Sequence, residues 1–148
     1  MDKENESSAV EALYRIAQTL HLTTDPHKAL QQVLAEVNGF LPGTNASIEL
    51  LNPDTNRLET EAHTGQQIEE TRAGLRLGQG LAGWAALHGK SVRSGNVLLD
   101  ARFIRRLRDT QSELVVPLIS PNGSVLGVIN VESPSLNAFS QKDEQVLT

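Results

Sequence analysis

The chain contains no cysteine. That excludes disulfides, thiolate catalysis, iron–sulfur ligation and any pigment attached through a cysteine, and it suits a cytoplasmic protein. No apolar run approaches the roughly 20 residues needed to span a bilayer. The first residues, Met1 to Ser8, are polar and acidic, unlike a signal peptide. There is no excess of basic residues: the net charge is −5, which argues against nucleic acid or an anionic membrane surface as a partner. His21, His27, His63 and His88 show neither HxxxH nor HExxH spacing, so no metal site is expected. No nucleophile–base–acid set is visible either, so no catalytic residue is assigned and the chain is read as a non-enzyme.

What is present is one domain's worth of sequence. A chain of 148 residues, 39% of them hydrophobic, buries about 70% of its unfolded surface and builds its own core. The strongest local signal lies in Ser112 to Glu132, two apolar runs flanking Asn122-Gly123. Asn-Gly favours a type I′ hairpin turn. Both strands are apolar on both faces, so the pair is expected between two covering layers.

The remaining elements follow from periodicity. Val10, Leu13, Ile16, Ala17 and Leu20 recur at helical spacing over 9–22, after a frayed leader at 1–8. Asp25-Pro26 starts a second helix, with Ala29, Leu30, Val33, Leu34, Val37 and Leu41 as its stripe. Thr44 to Leu51 alternates as a strand, with Ala46, Ile48 and Leu50 on one face and Ser47, Glu49 and Leu51 on the other. Arg57 to Thr64 is a more polar strand near a sheet edge. Gly65 to Thr110 is a long, weakly structured excursion, the usual form of a lid or binding loop. It holds short helices over 78–88 and 100–108 and a brief strand at 91–93. Ser140, with Asp143 and Glu144 in the next turn, opens a last helix that stops at Thr148. The natural chain is therefore expected to continue into another domain. Helices at both ends of an antiparallel sheet make an α+β fold.

Leu77-Gly78-Gln79-Gly80-Leu81-Ala82-Gly83-Trp84, Asn96 to Phe103, Ser112 to Leu118, Gly127 to Ser133 and Phe139 to Asp143 stand in an order and spacing that resemble the GAF domain family. The likeness covers nearly the whole chain and makes 9–148 one GAF-like domain with a truncated last helix. It implies a profilin-like, PAS-related antiparallel sheet of five to six strands. Terminal helices would pack on one face, with loops and short helices on the other, enclosing a small ligand. Such domains stand in front of kinases, cyclases, phosphodiesterases or transcription activators, often in two-component systems, and dimerise through their terminal helices. The resemblance thus implies an unidentified small molecule, an effector domain beyond Thr148 and a homodimer. Members that bind cyclic nucleotides carry Asn-Lys before a Phe and an Asp-Glu pair. Phe139, Asp143 and Glu144 fit the second half, but Ser133-Pro134 stand where the Asn-Lys would be. Members that bind bilins or reduce free methionine sulfoxide need cysteines this chain lacks.

Several residues carry a functional and a plainer reading. Gly78, Gly80 and Gly83 match the GxGxxG of dinucleotide sites, with Asp100 as the acid, but no βαβ unit surrounds them; tight turns and close packing are the plainer reading. Trp84, the single tryptophan, is a core residue or a pocket wall; full burial would be worth at most about 4–6 kcal/mol. Arg102, Arg105, Arg106 and Arg108 read as a solvated helix face, with an anion or partner contact as the alternative. Glu49 and Glu132 end up on a buried face and need a partner, solvent or a ligand. The candidate ligand-binding residues are Glu49, Trp84, Asp100, Phe103, Val116, Asn130 and Glu132, with no cofactor assigned. The leading reading is a regulatory sensor domain that binds a small ligand between the sheet and a lid over 65–110 and relays binding through its terminal helices. The competing reading is a ligand-free dimerisation and relay module whose pocket face is filled by Trp84, Phe103, Val116 and Val128.

Overall fold

A computed structural model describes residues 26–65 and 74–148. The expected leader, the helix over 9–22 and positions 66–73 of the lid lie outside them. Helix α1 (Pro26–Phe40) starts on a proline, whose missing N–H costs nothing in the first turn. One stripe, Ala29, Val33, Leu34 and Val37, is buried and continues into Leu41. Six strands follow: β1 (Asn45–Asn52), β2 (Arg57–His63), β3 (Leu75–Arg76), β4 (Val92–Ser94), β5 (Ser112–Ile119) and β6 (Val125–Ser133). They form one antiparallel sheet in the order β3-β2-β1-β6-β5-β4. Helix α2 (Gly80–His88) lies between β3 and β4 in sequence, and α3 (Gln141–Leu147) closes the chain.

The sheet separates two cores. On one face, α1 packs Val33, Leu34, Val37 and Leu41 against Ala46, Ile48, Leu114, Val116, Ile129 and Val131, with Phe139 alongside. On the other, Leu81, Ala82, Ala85 and Ala86 of α2 pack on Leu58, Val92, Val115 and Val128. The two-residue side-chain period assigns each strand residue to its face. Val116 therefore joins the α1 core. It cannot wall a pocket on the opposite face, and that expectation is corrected.

Three further expectations change. The excursion from 65 to 110 is less irregular than its composition implies, because it contributes both edge strands, β3 and β4, and helix α2. The helix expected over 100–108 is absent: a 3₁₀ turn occupies Val97–Leu99, and the chain beyond it satisfies its backbone through side chains. Asp100 Oδ1 accepts from the Arg102 N–H at 3.0 Å, and Arg105 donates to the carbonyls of Leu107, Arg108 and Thr110. Such local bonds compete directly with a helix. Finally, the β5–β6 turn is not type I′. Only Gly123 has positive φ, at 89°, and its N–H donates to the Ser120 carbonyl across Pro121-Asn122. A type I′ turn centred on Asn122-Gly123 needs positive φ at both residues, and Asn122 lacks it; Pro121, with φ near −65°, instead suits the first central position of the turn from Ser120 to Gly123.

The glycine motif before α2 has a structural cause. Gly78 and Gly80 adopt φ of 86° and 68°, and a Cβ on Gly83 would collide with the Arg76 carbonyl. The last helix is held at its start by a reciprocal capping box between Ser140 and Asp143. Among the described residues no helix is long and apolar enough to cross a membrane.

Gly83→Ala should destabilise the domain by about 1–3 kcal/mol, because backbone must move to admit the methyl group. Gly39→Ala, with open space around it in α1, should be neutral or stabilise by up to about 1 kcal/mol. Urea titrations of both variants check the contrast.

Candidate functional site

On the face away from α1, the open end of the sheet carries polar residues instead of a core. Register puts Ser47 opposite Asn130, Glu113 opposite Glu132, and Ser94 opposite Glu113. Glu49, one pleat along β1 from Ser47, shares that face. Residues 97–111 cover it as a loop closed at its base, where the Val97 N–H donates to the Gln111 carbonyl at 2.9 Å. From this loop Arg106 reaches down to Glu49 in a two-pronged fork: Nη1 donates to Oε1 at 2.6 Å and Nη2 to Oε2 at 2.8 Å. Ser47 Oγ donates to the same carboxylate at 3.2 Å. Glu132 accepts from Thr110 Oγ1 and from Asn130 Nδ2, each at 3.1 Å. The side chains of this polar face are buried, Arg106 and Ser94 being the most exposed at 7%.

Three carboxylates, Glu49, Glu113 and Glu132, thus surround one buried guanidinium. Burial alone would pull the Arg106 pKa down, but the charge and hydrogen bonds of Glu49 outweigh it and hold the guanidinium above its usual range. Burial pushes the Glu113 carboxyl well up; the charge of Glu132 adds to this and Arg106 opposes it. Burial also raises Glu132, against the pull of Arg106 and the Thr110 hydroxyl. The site therefore holds acids that keep their protons into the range where ordinary carboxyls are ionised.

The sequence-derived candidates divide into three groups. Glu49, Asn130 and Glu132 meet in this cluster. Asp100, Trp84 and Phe103 lie at its flank. Asp100 forms a bidentate pair with Arg102, at 2.9 and 2.7 Å, and these bonds hold its carboxyl below the usual range. The Arg102 guanidinium stacks 4.7 Å from the Trp84 ring centre. Trp84 and Phe103 are partly buried against the second core, so full burial of the tryptophan is not reached. Val116 lies on the other side of the sheet. The sequence reading missed Glu113 and took Arg106 for part of a solvated face. Strand alternation from Val115 was available to place Glu113; nothing local distinguished Arg106 from its arginine neighbours. Two spaces open nearby. One is a cavity of about 90 Å³ beside Thr110 and Leu107. The other is an open groove of about 510 Å³ between β4 and Asp100, with Arg93 and Asn137 on its walls.

A family described as "GAF domain" matches residues 23–148. The Nif-specific regulatory protein of Azotobacter vinelandii is 31% identical over 127 residues, 81% of this chain and 24% of that protein. The chain thus spans about a quarter of that relative's length. The GAF domain of the Acinetobacter phosphoenolpyruvate-protein phosphotransferase is similar in structure, with 26% identity and a TM-score of 0.79 over 94% of this chain and 85% of that one. The type II free methionine-R-sulfoxide reductase of Thermoplasma acidophilum is similar at 26% identity and a TM-score of 0.73, over 82% and 83%. The last finding corrects one expectation. Reductases are enzymes and they share this fold, so the reading of the chain as a non-enzyme does not stand and an enzymatic function is open to it. Without cysteine, the buried carboxyls are the acid–base groups at hand.

Two outcomes follow from this geometry. Arg106→Leu should cost about 3–5 kcal/mol by stranding buried charge, and Arg106→Leu with Glu49→Leu distinctly less; a double-mutant cycle in urea measures the difference. Glu113 and Glu132 have folded pKa values above the ordinary 4.5. Their contribution is complete below that pH and is lost as pH rises towards the folded values, at up to about 1.4 kcal/mol per pH unit per group. Wild-type stability should therefore fall as pH rises above about 4.5, and less steeply in Glu113→Gln.

Proposed function

The chain belongs to the GAF domain family, and from that membership we propose that it is a regulatory sensor domain with a small-ligand site between the sheet and residues 97–111. One observation carries the reading. A sheet face that could have been filled with apolar side chains instead keeps Glu49, Glu113, Asn130 and Glu132 buried together. Such groups are costly to desolvate and seldom add stability over well-packed apolar residues. Their use is recognition. The ligand contacts are Glu49, Asn130 and Glu132 in the cluster, with Trp84 of α2 and Asp100 and Phe103 of the loop at its flank.

In this reading binding favours one arrangement of the loop over another, and the helices pass that bias on. The effector is a kinase, a cyclase or a transcription activator in the same polypeptide, and a second copy of the chain is the relay partner. The setting is cytoplasmic signalling of the two-component kind. One observation favours the ligand-free relay module instead: Arg106 already occupies Glu49 with both prongs of its fork.

A thermal-shift screen of nucleotides, amino acids, amines and organic acids decides between them. The sensor reading expects a saturable rise in Tm with at least one class, lost in Glu132→Gln although that variant still folds. A flat response from every class favours the relay module.

A further inference from the structure

The buried cluster is unbalanced in both charge and hydrogen bonding. Glu49, Glu113 and Glu132 are all buried, and Arg106 is the buried cation among the described residues. Its fork is spent on Glu49. Glu132 is served by the neutral donors Thr110 and Asn130. Glu113 is strained by burial and by repulsion from Glu132 and Glu49, which the charge of Arg106 opposes. Asn130, 1% exposed, turns its Nδ2 to Glu132 and leaves Oδ1 with no hydrogen-bond partner among the described residues. An orphan acceptor in so buried a place marks a donor still to come. What the cluster has in surplus is acceptors and carboxyls that burial holds back from ionising, and the chemistry that completes it is a cation rich in N–H groups, whose arrival favours their ionised form.

Arg106 supplies such a cation from an irregular support. It stands on the stretch between the Val97–Leu99 turn and β5, which has neither helix nor strand. The cavity of about 90 Å³ opens beside Leu107 and Thr110, and the Thr110 hydroxyl bonds Glu132. We infer that this acidic cluster is a receptor for the ammonium or guanidinium head of a small organic cation, and that Arg106 is its resident placeholder. The guest's head takes the fork position on Glu49 and draws on Asn130 Oδ1, while Arg106 leaves with its loop. The inference rests on the sensor reading above and specifies the ligand class for that site. Arg102, four residues before Arg106, stacks on the only tryptophan, so the exchange has a built-in optical reporter.

The test uses Arg106→Ala, which vacates the fork position, with methylguanidinium as probe and neutral methylurea as its isosteric control. Methylguanidinium at ten times its Kd should raise the Tm of the variant by about 3–6 °C. Methylurea should not, and the rise should vanish when Glu49→Gln is added. No rise, an equal rise with methylurea, or a rise that survives Glu49→Gln overturns the inference. If Arg106→Ala does not fold, the intact protein is titrated with methylguanidinium and butylammonium while Trp84 emission is followed. A saturable change lost in Glu49→Gln supports the exchange, and a flat trace overturns it. A neutral or anionic metabolite that stabilises the wild type when no cation does keeps the sensor reading and removes this inference. Rescue of Arg106→Ala when no small molecule stabilises the wild type keeps the acidic receptor and removes the sensor reading.

Discussion

A guanidinium taken out of water must find a carboxylate, and Arg106 finds Glu49 from 57 positions away. The cost of desolvating the two ions is large, and only paired hydrogen bonds of good geometry offset it. The fork therefore acts as a constraint more than as a source of stability. It fixes where residues 97–111 lie on the sheet, and with them Leu107 and Thr110, both buried. It also sets the protonation of its surroundings. Burial first, and the charge of neighbouring acids second, raise the carboxyls of Glu113 and Glu132 above their ordinary range, because one guanidinium cannot offset three acids.

The rest of the fold makes that constraint possible. The α1 face supplies an apolar core of ordinary composition, which leaves the opposite face free to carry polar groups at one end. There the α2 contacts of Leu81, Ala82, Ala85 and Ala86 dry one half, and the 97–111 loop closes the other. The glycines before α2 serve this arrangement by letting the Arg76 carbonyl approach Gly83. At the far end, Glu144 of α3 binds Ser91 Oγ at 2.8 Å and Arg93 Nε at 3.4 Å, so the last helix is tied to the edge strand that leads into the loop.

Much of this was legible in the residues. Alternation in Thr44 to Leu51 placed Glu49 away from the helix face, and the step from Val128 to Asn130 and Glu132 placed those two beside it. Stripe spacing found α1, and Ser140 with Asp143 announced the last cap. The failures share a cause, because they depend on contacts distant in sequence or on competition between local bonds. Phe103, Ile104 and Leu107 sit at helical spacing, yet Asp100 and Arg105 take the backbone groups that a helix needs. Arg106 resembles Arg105 and Arg108 until the sheet brings Glu49 beneath it. Pro121 overrode the Asn-Gly preference one residue later. Val116 was misplaced for a simpler reason: parity along β5 was not carried through from Leu114.

The sheet ends on very short borders, two residues in β3 and three in β4. Unpaired backbone along a long rim is what lets folded chains stack into fibres. Here β3 pairs only with Arg57 and Leu58 of β2, and β4 only with Glu113, Leu114 and Val115 of β5, with the β4 side further obstructed by the Arg93 contact with Glu144. Among the described residues, strand addition therefore meets two borders too short to serve as templates themselves, and its openings are the remaining stretches of β2 and β5.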